Sequence, residues 1–131
     1  MNFLRKEVEQ HLSQFLDLYD FVFALEGREQ DSTFVAYQGP TLLLAFYWSI
    51  DDGESVRVGR LGADDLTSML RRCSSIPHYF QRFNERYLAA LKSHEYPSKP
   101  TDAEFYHFMD LSLRDFMSLV ESGRIMLADP P

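Results

Sequence analysis

Ten consecutive residues, Thr41–Ile50 (TLLLAFYWSI), carry no charge and hardly a polar atom. The run is too short to cross a bilayer, which takes roughly 20 apolar residues as a helix. It also lacks the regularly spaced polar positions of an amphipathic helix. Gly39-Pro40 precedes it and Asp51-Asp52-Gly53 follows, and both are turn chemistry rather than helix caps. The run therefore reads as a strand covered on both faces. Leu42, Leu44, Phe46, Trp48 and Ile50 lie on one face, and Leu43, Ala45, Tyr47 and Ser49 on the other.

The flanking sequence builds a sheet around this rail. Leu4, Val8, Leu12, Phe15, Leu16 and Tyr19 share one face at helical spacing, which predicts a helix over 2–18 capped by Asn2. Phe21–Glu26 (FVFALE) is a first strand with Phe21, Phe23 and Leu25 on one face, and Gly27–Ser32 is a polar turn. Thr33–Gln38 is a second strand, and Glu54–Gly59 a fourth with Val56 and Val58 inward and Arg57 outward. Short connections make the four strands an antiparallel meander.

The remainder reads as helical. Asp64 and Asp65 open a short helix that ends near Arg71 and Arg72, burying Leu66, Met69, Leu70 and Cys73. Pro77 begins another, with Phe80, Phe83, Tyr87, Leu88 and Leu91 as its stripe. After the loop Tyr96–Pro100, Thr101 and Glu104 match a capping box for a helix carrying Phe105, Phe108 and Met109. Ser112–Asp115 starts a further helix through Val120, closed by Gly123, and Ile125–Leu127 docks before the tail. The expectation is one α+β domain over residues 1–131. It has an N-terminal helix, a four-stranded antiparallel meander, and three to four C-terminal helices packed on the sheet.

Composition narrows the function. The chain has 131 residues, 45% hydrophobic, with a formal net charge of −7. Residues 1–56 carry −7, 57–92 carry +4 and 93–131 carry −4. An acidic first half argues against nucleic-acid binding, which needs a basic footprint, and suits a basic partner. The single cysteine, Cys73, excludes an internal disulfide and a Cys-rich zinc site. The N-terminus is charged within five residues and has no apolar run, so neither a secretory signal nor a membrane anchor is expected, and the localisation expected is cytoplasmic.

Catalytic chemistry finds no footing. His11, His78, His94 and His107 are scattered without metal-ligand spacing, so no metal or cofactor is expected. His107, between Tyr106 and Phe108, reads as a partly buried structural residue. Cys73 has Arg71 and Arg72 beside it, yet falls on an apolar stripe where an inert thiol is expected. No Gly-x-Ser-x-Gly elbow and no phosphate loop occurs. The pairs Asp51-Asp52 and Asp64-Asp65 are explained by turn formation and capping. No enzyme activity is expected.

Two charge clusters remain. Arg57, Arg60, Arg71, Arg72, Arg82 and Arg86 form a patch if the second and third helices pack near strand four. Such a patch would suit a small-molecule- or RNA-binding accessory domain, and an internal salt-bridged seam is the competing explanation. In a meander, alternate turns lie at one end of the sheet. Glu26, Arg28, Glu29 and Asp31 should therefore cluster with Asp51, Asp52 and Glu54, giving −5. That end would focus a negative potential able to capture a basic protein.

The N-terminal helix, FVFALEG, TFVAYQ, TLLLAFYWSI, the DDG turn, ESVRVGRLG and a helical second half ending LRDFMSLVESG together give a layout that resembles a known class. It is similar to the small acidic immunity proteins of bacterial contact-dependent inhibition and other polymorphic toxin systems. The resemblance implies a stoichiometric, non-catalytic inhibitor that binds a cognate toxin domain, often a nuclease. It transfers no binding residue. No nucleic acid and no membrane is expected as a partner, and the chain is expected to be a monomer or weak homodimer. A homodimer would pair through an exposed edge, either strand one or strand four.

Overall fold

A computed structural model describes residues 1–50, 53–63, 65–75 and 102–124. These divide into two compact units, one holding the described residues up to Ser75 and the other those from Asp102 onward.

In the first unit, α1 (Phe3–Leu18) leads into a meander of β1 (Val22–Glu29), β2 (Ser32–Gln38), β3 (Leu42–Ser49) and β4 (Gly53–Arg60). A short helix α2 (Leu66–Arg72) and a two-residue strand β5 (Ser74–Ser75) follow. All pairings are antiparallel, in the order β1-β2-β3-β4-β5. The expected α+β class and four-stranded meander are present. β5 adds a fifth strand to them, pairing with Arg57 and Val58 at one edge.

β3 is the covered rail that its sequence requires. Leu42 through Tyr47 are all buried. Its even-numbered residues face α1: Phe3 of α1 meets Trp48 edge-on at 5.2 Å, and Tyr37, paired with Leu44, reaches Glu9 of α1. Its odd-numbered residues face α2. Leu43, Ala45 and Tyr47 join Phe34, Ala36, Met69 and Leu70 in one buried cluster, with Leu66 and Cys73 packed against it. Each of the buried Leu, Phe and Met side chains contributes roughly 1.5–3 kcal/mol. Ile50 departs from the expected pattern. β3 stops at Ser49, and Ile50 stands 87% exposed in the turn.

Both ends of α1 are closed by side chains and backbone in the sequence. The Asn2 carboxamide oxygen accepts the Arg5 N–H at 2.8 Å, the expected cap, and its amide donates to the Phe34 carbonyl at 3.0 Å. At the far end Asp20 adopts φ 58, so that Asp20 N–H meets Asp17 O and Phe21 N–H meets Leu16 O. This is the Schellman arrangement, and its usual apolar contact is supplied by stacked Phe15 and Phe21. The helix thus turns into β1 within three residues. The Phe21 ring also explains Gly39, where a Cβ would come 2.8 Å from it.

β1 corrects two expectations. It runs on through Gly27, Arg28 and Glu29, leaving a two-residue turn at Gln30-Asp31 with Gln30 at φ 56. Pairing with β2 takes up the backbone groups of Gly27 and Glu29, which composition alone assigns to a turn. A bulge between Phe23 and Leu25 also breaks the alternation. Phe23 faces α1, where Arg5 stacks on it at 3.5 Å, whereas Leu25 pairs with Ala36 on the opposite side.

α2 is capped by Asp65, which accepts the Ser68 N–H at 2.9 Å, and it buries Met69 and Leu70. In the second unit, α3 (Asp102–Glu121) is one continuous helix of 20 residues, not two. No Gly or Pro interrupts it, and Arg114 pairs with Asp110 at 2.9 Å across the expected break. Tyr106, Met109, Leu113, Phe116 and Met117 form its buried face. Gly123, φ 75, ends it as expected, with Arg124 N–H meeting Leu119 O. The helix expected after Pro77, the capping residue Thr101 and the Ile125–Leu127 tail lie outside the described residues.

Candidate functional site

The meander brings its two relevant turns to one end of the sheet. Glu29 faces Ser32 across the first, Ser49 faces Gly53 across the second, and Thr33 pairs with Trp48 between them. Glu29 and Asp31 are exposed there, as is Arg28. Glu54 occupies the β4 position opposite Trp48. Asp51 and Asp52 lie outside the described residues.

Glu26 does not join this group. It sits three residues inside β1, and its carboxylate receives the Asn2 N–H at 3.2 Å and the Met1 ammonium at 3.3 Å. Arg5 lies 3.9 Å away, itself held by Glu9 at 2.6 Å. Burial pushes the Glu26 pKa up, but the Asn2 amide, the ammonium and Arg5 outweigh it and the net shift is downward. Glu26 therefore anchors the start of α1 to the sheet.

Apolar side chains lie at the same end of the sheet, Phe3 and Trp48 on its α1 face, whereas Glu29 lies on its α2 face. Phe3 is 48% exposed where its ring meets the half-buried Trp48, and Ile50 projects from the adjoining turn. Large exposed apolar groups next to charge are the usual makings of a protein interface, in which aromatic anchors dominate the energy. Acid counting overlooks these residues. The available signal was Phe3, which falls outside the Leu4–Val8–Leu12 stripe of its own helix.

Four of the six arginines, Arg57, Arg60, Arg71 and Arg72, lie among the described residues. Arg57 points not outward but onto the α2 side of the sheet, its guanidinium 4.4 Å over the Tyr47 ring. Arg57 Nε and Tyr47 Oη are both buried, and neither has a hydrogen-bond partner at full geometry among the described residues. Burial pushes the Tyr47 phenol up to about 12 against the pull of Arg57. Arg60 pairs with Leu42 at the end of the sheet away from the acidic turns, and Arg71 and Arg72 occupy the last turn of α2. Arg82 and Arg86 lie outside the described residues.

Cys73 caps α2, its thiol donating to the Met69 carbonyl at 3.4 Å. Burial raises its pKa to about 11, with Arg57 rather than Arg71 or Arg72 opposing. A half-buried thiol held above its ordinary pKa carries little thiolate at neutral pH. His11 lies 3.5 Å from Glu7 on α1, and His107 is exposed on α3 rather than partly buried. His78 and His94 lie outside the described residues. Among the described residues no group of three or more His, Cys, Asp or Glu is placed to hold a metal ion, and no helix is long and apolar enough to cross a membrane.

Comparison with family models, with curated proteins and with solved structures finds no match for the chain.

Proposed function

We propose that the protein is a stoichiometric, non-catalytic inhibitor of the immunity type, acting in the cytoplasm on a cognate toxin domain with a basic surface. The observation that carries this reading is that exposed acids Glu29 and Asp31 and the apolar Phe3, Trp48 and Ile50 occupy one end of the sheet. Acids of this kind steer a basic partner into encounter, and buried aromatics hold it afterwards. Asp51, Asp52 and Glu54 extend the same turn region in sequence. The alternative, an arginine surface for RNA or an anionic small molecule, is weakened by the withdrawal of Arg57 onto Tyr47.

The test is co-expression. The C-terminal domain of the product encoded immediately upstream is induced in a naive bacterial host, with and without this protein. Relief of toxicity together with a co-purifying complex supports the proposal. A harmless neighbour, or killing that continues in the presence of this protein, counts against it.

A further inference from the structure

The two edges of the sheet differ. β4 is partly covered by β5, whereas among the described residues β1 has a neighbour on one side only. The bulge at Phe23–Leu25 leaves Leu25–Glu29 as its straight segment. A two-residue turn closes on a hydrogen-bonded pair, here Glu29 with Ser32. Alternation then directs Leu25 and Gly27 towards β2 as well, while Glu26 and Arg28 turn their N–H and C=O groups to the open edge.

A groove flanks this segment on each side. The groove on the α2 side, about 300 Å³, is lined by Leu25, Gly27, Glu29, Phe34, Leu70 and Arg71, among others. On the α1 side a wider one of about 530 Å³ is lined by Asn2, Phe3, Glu26, Gly27, Arg28 and Thr33. Arg28, Glu29 and Arg71 are exposed and take part in no ion pair among the described residues. Charges on an edge ordinarily discourage pairing, so their order along the strand decides what the edge accepts.

We propose that β1 is a self-association edge, pairing antiparallel with β1 of a second copy about a two-fold axis at Gly27. In that register Glu26 and Arg28 of one copy oppose Arg28 and Glu26 of the other, and both outward backbone pairs can form. An axis at Glu26 would oppose two glutamates, and one at Arg28 two arginines, so the neighbouring registers are disfavoured. The incoming Glu29 then arrives beside Leu25, in the groove that holds Arg71. Gly27 lets the two backbones close without side-chain obstruction on the axis. The contact is isologous and small, below about 1,200 Å², so the dimer is weak and forms at high concentration. This inference does not depend on the identity of any toxin partner.

Sedimentation equilibrium on the full chain, from micromolar to millimolar concentration, tests it. The weight-average mass should rise from 15.3 kDa towards twice that value. Arg28→Pro removes an outward N–H and should abolish the rise. Arg28→Glu opposes like charges twice and should weaken association about tenfold or more. Hydrogen exchange of the Glu26 and Arg28 amides should slow with concentration in the wild type and not in Arg28→Glu. A chain that stays at 15.3 kDa throughout, or a dimer indifferent to Arg28→Glu, overturns the proposal.

Discussion

Tyr37 of β2 donates its phenolic proton to Glu9 of α1 at 3.2 Å, a polar contact set into the apolar seam between helix and sheet. The ring is 1% exposed and packs edge-on against Phe46 at 6.0 Å. Glu9 keeps Arg5 as a second partner, so Tyr37→Phe does not orphan the carboxylate. The variant should lose about 0.5–1.5 kcal/mol at neutral pH with an unchanged denaturant slope. A loss above about 3 kcal/mol in urea titrations would mean that Glu9 depends on Tyr37 alone.

Alkaline stability follows from the buried phenols and thiol. Burial, reinforced by Glu9, holds the Tyr37 pKa far above its ordinary 10.0, and burial holds Tyr47 at about 12. Folded pKa values above unfolded ones mean that the stabilisation is fully present below about pH 10. It is lost as pH rises towards 12, by up to about 1.4 kcal/mol per pH unit for each proton difference. For Cys73 the corresponding window runs from 9.0 to about 11. The urea midpoint should fall through this range, and Tyr47→Phe should make the fall shallower. A midpoint that stays level would contradict the burial of these groups.

Asp20 and Gly123 occupy the same left-handed position past the ends of α1 and α3. An aspartate tolerates this conformation at a cost that glycine avoids. Asp20→Gly should therefore raise stability by about 0.5–1 kcal/mol, while Asp20→Val should lower it by more. Thermal melts of both variants check the ordering, and a destabilising Asp20→Gly would show that the aspartate side chain itself holds the turn.

The Glu26 anchor predicts acid behaviour. Its pKa is lowered from 4.5, so its contribution is present above that pH and lost as pH falls through the lowered value. Glu26→Gln should reduce the acid-side slope of stability. It should also speed hydrogen exchange at the first turn of α1, where Asn2 caps Arg5. Unchanged exchange there would separate Glu26 from helix anchoring.

Much of this fold is readable in the sequence because one period dominates each element. The α1 stripe and the uncharged β3 run admit no competing pattern, and Asn2, Asp65 and Gly123 mark helix ends at fixed offsets. The errors fall where local signals compete with tertiary pairing. Gly27, Arg28 and Glu29 look like a turn but complete β1, and a single bulge sends Leu25 to the opposite face from Phe23. Arg57 looks outward because it alternates with Val56 and Val58, yet α2 covers that second face and Tyr47 receives the guanidinium. The acidic end is legible as topology, since turn order fixes it. That Glu26 is taken up by Met1, Asn2 and Arg5 depends on where α1 begins over the sheet, which no spacing reports.

Capture of a basic toxin domain by the acidic turn end, as proposed, would show in the association kinetics. The combined variant Glu29→Ser, Asp31→Ser, Asp51→Ser, Asp52→Ser and Glu54→Ser is mixed with the toxin domain over a series of salt concentrations. Electrostatic steering predicts an association rate at least about tenfold slower at low salt, with a flattened salt dependence and little change in dissociation. A variant that associates as fast as the wild type at every salt concentration would mean that these acids do not steer the partner.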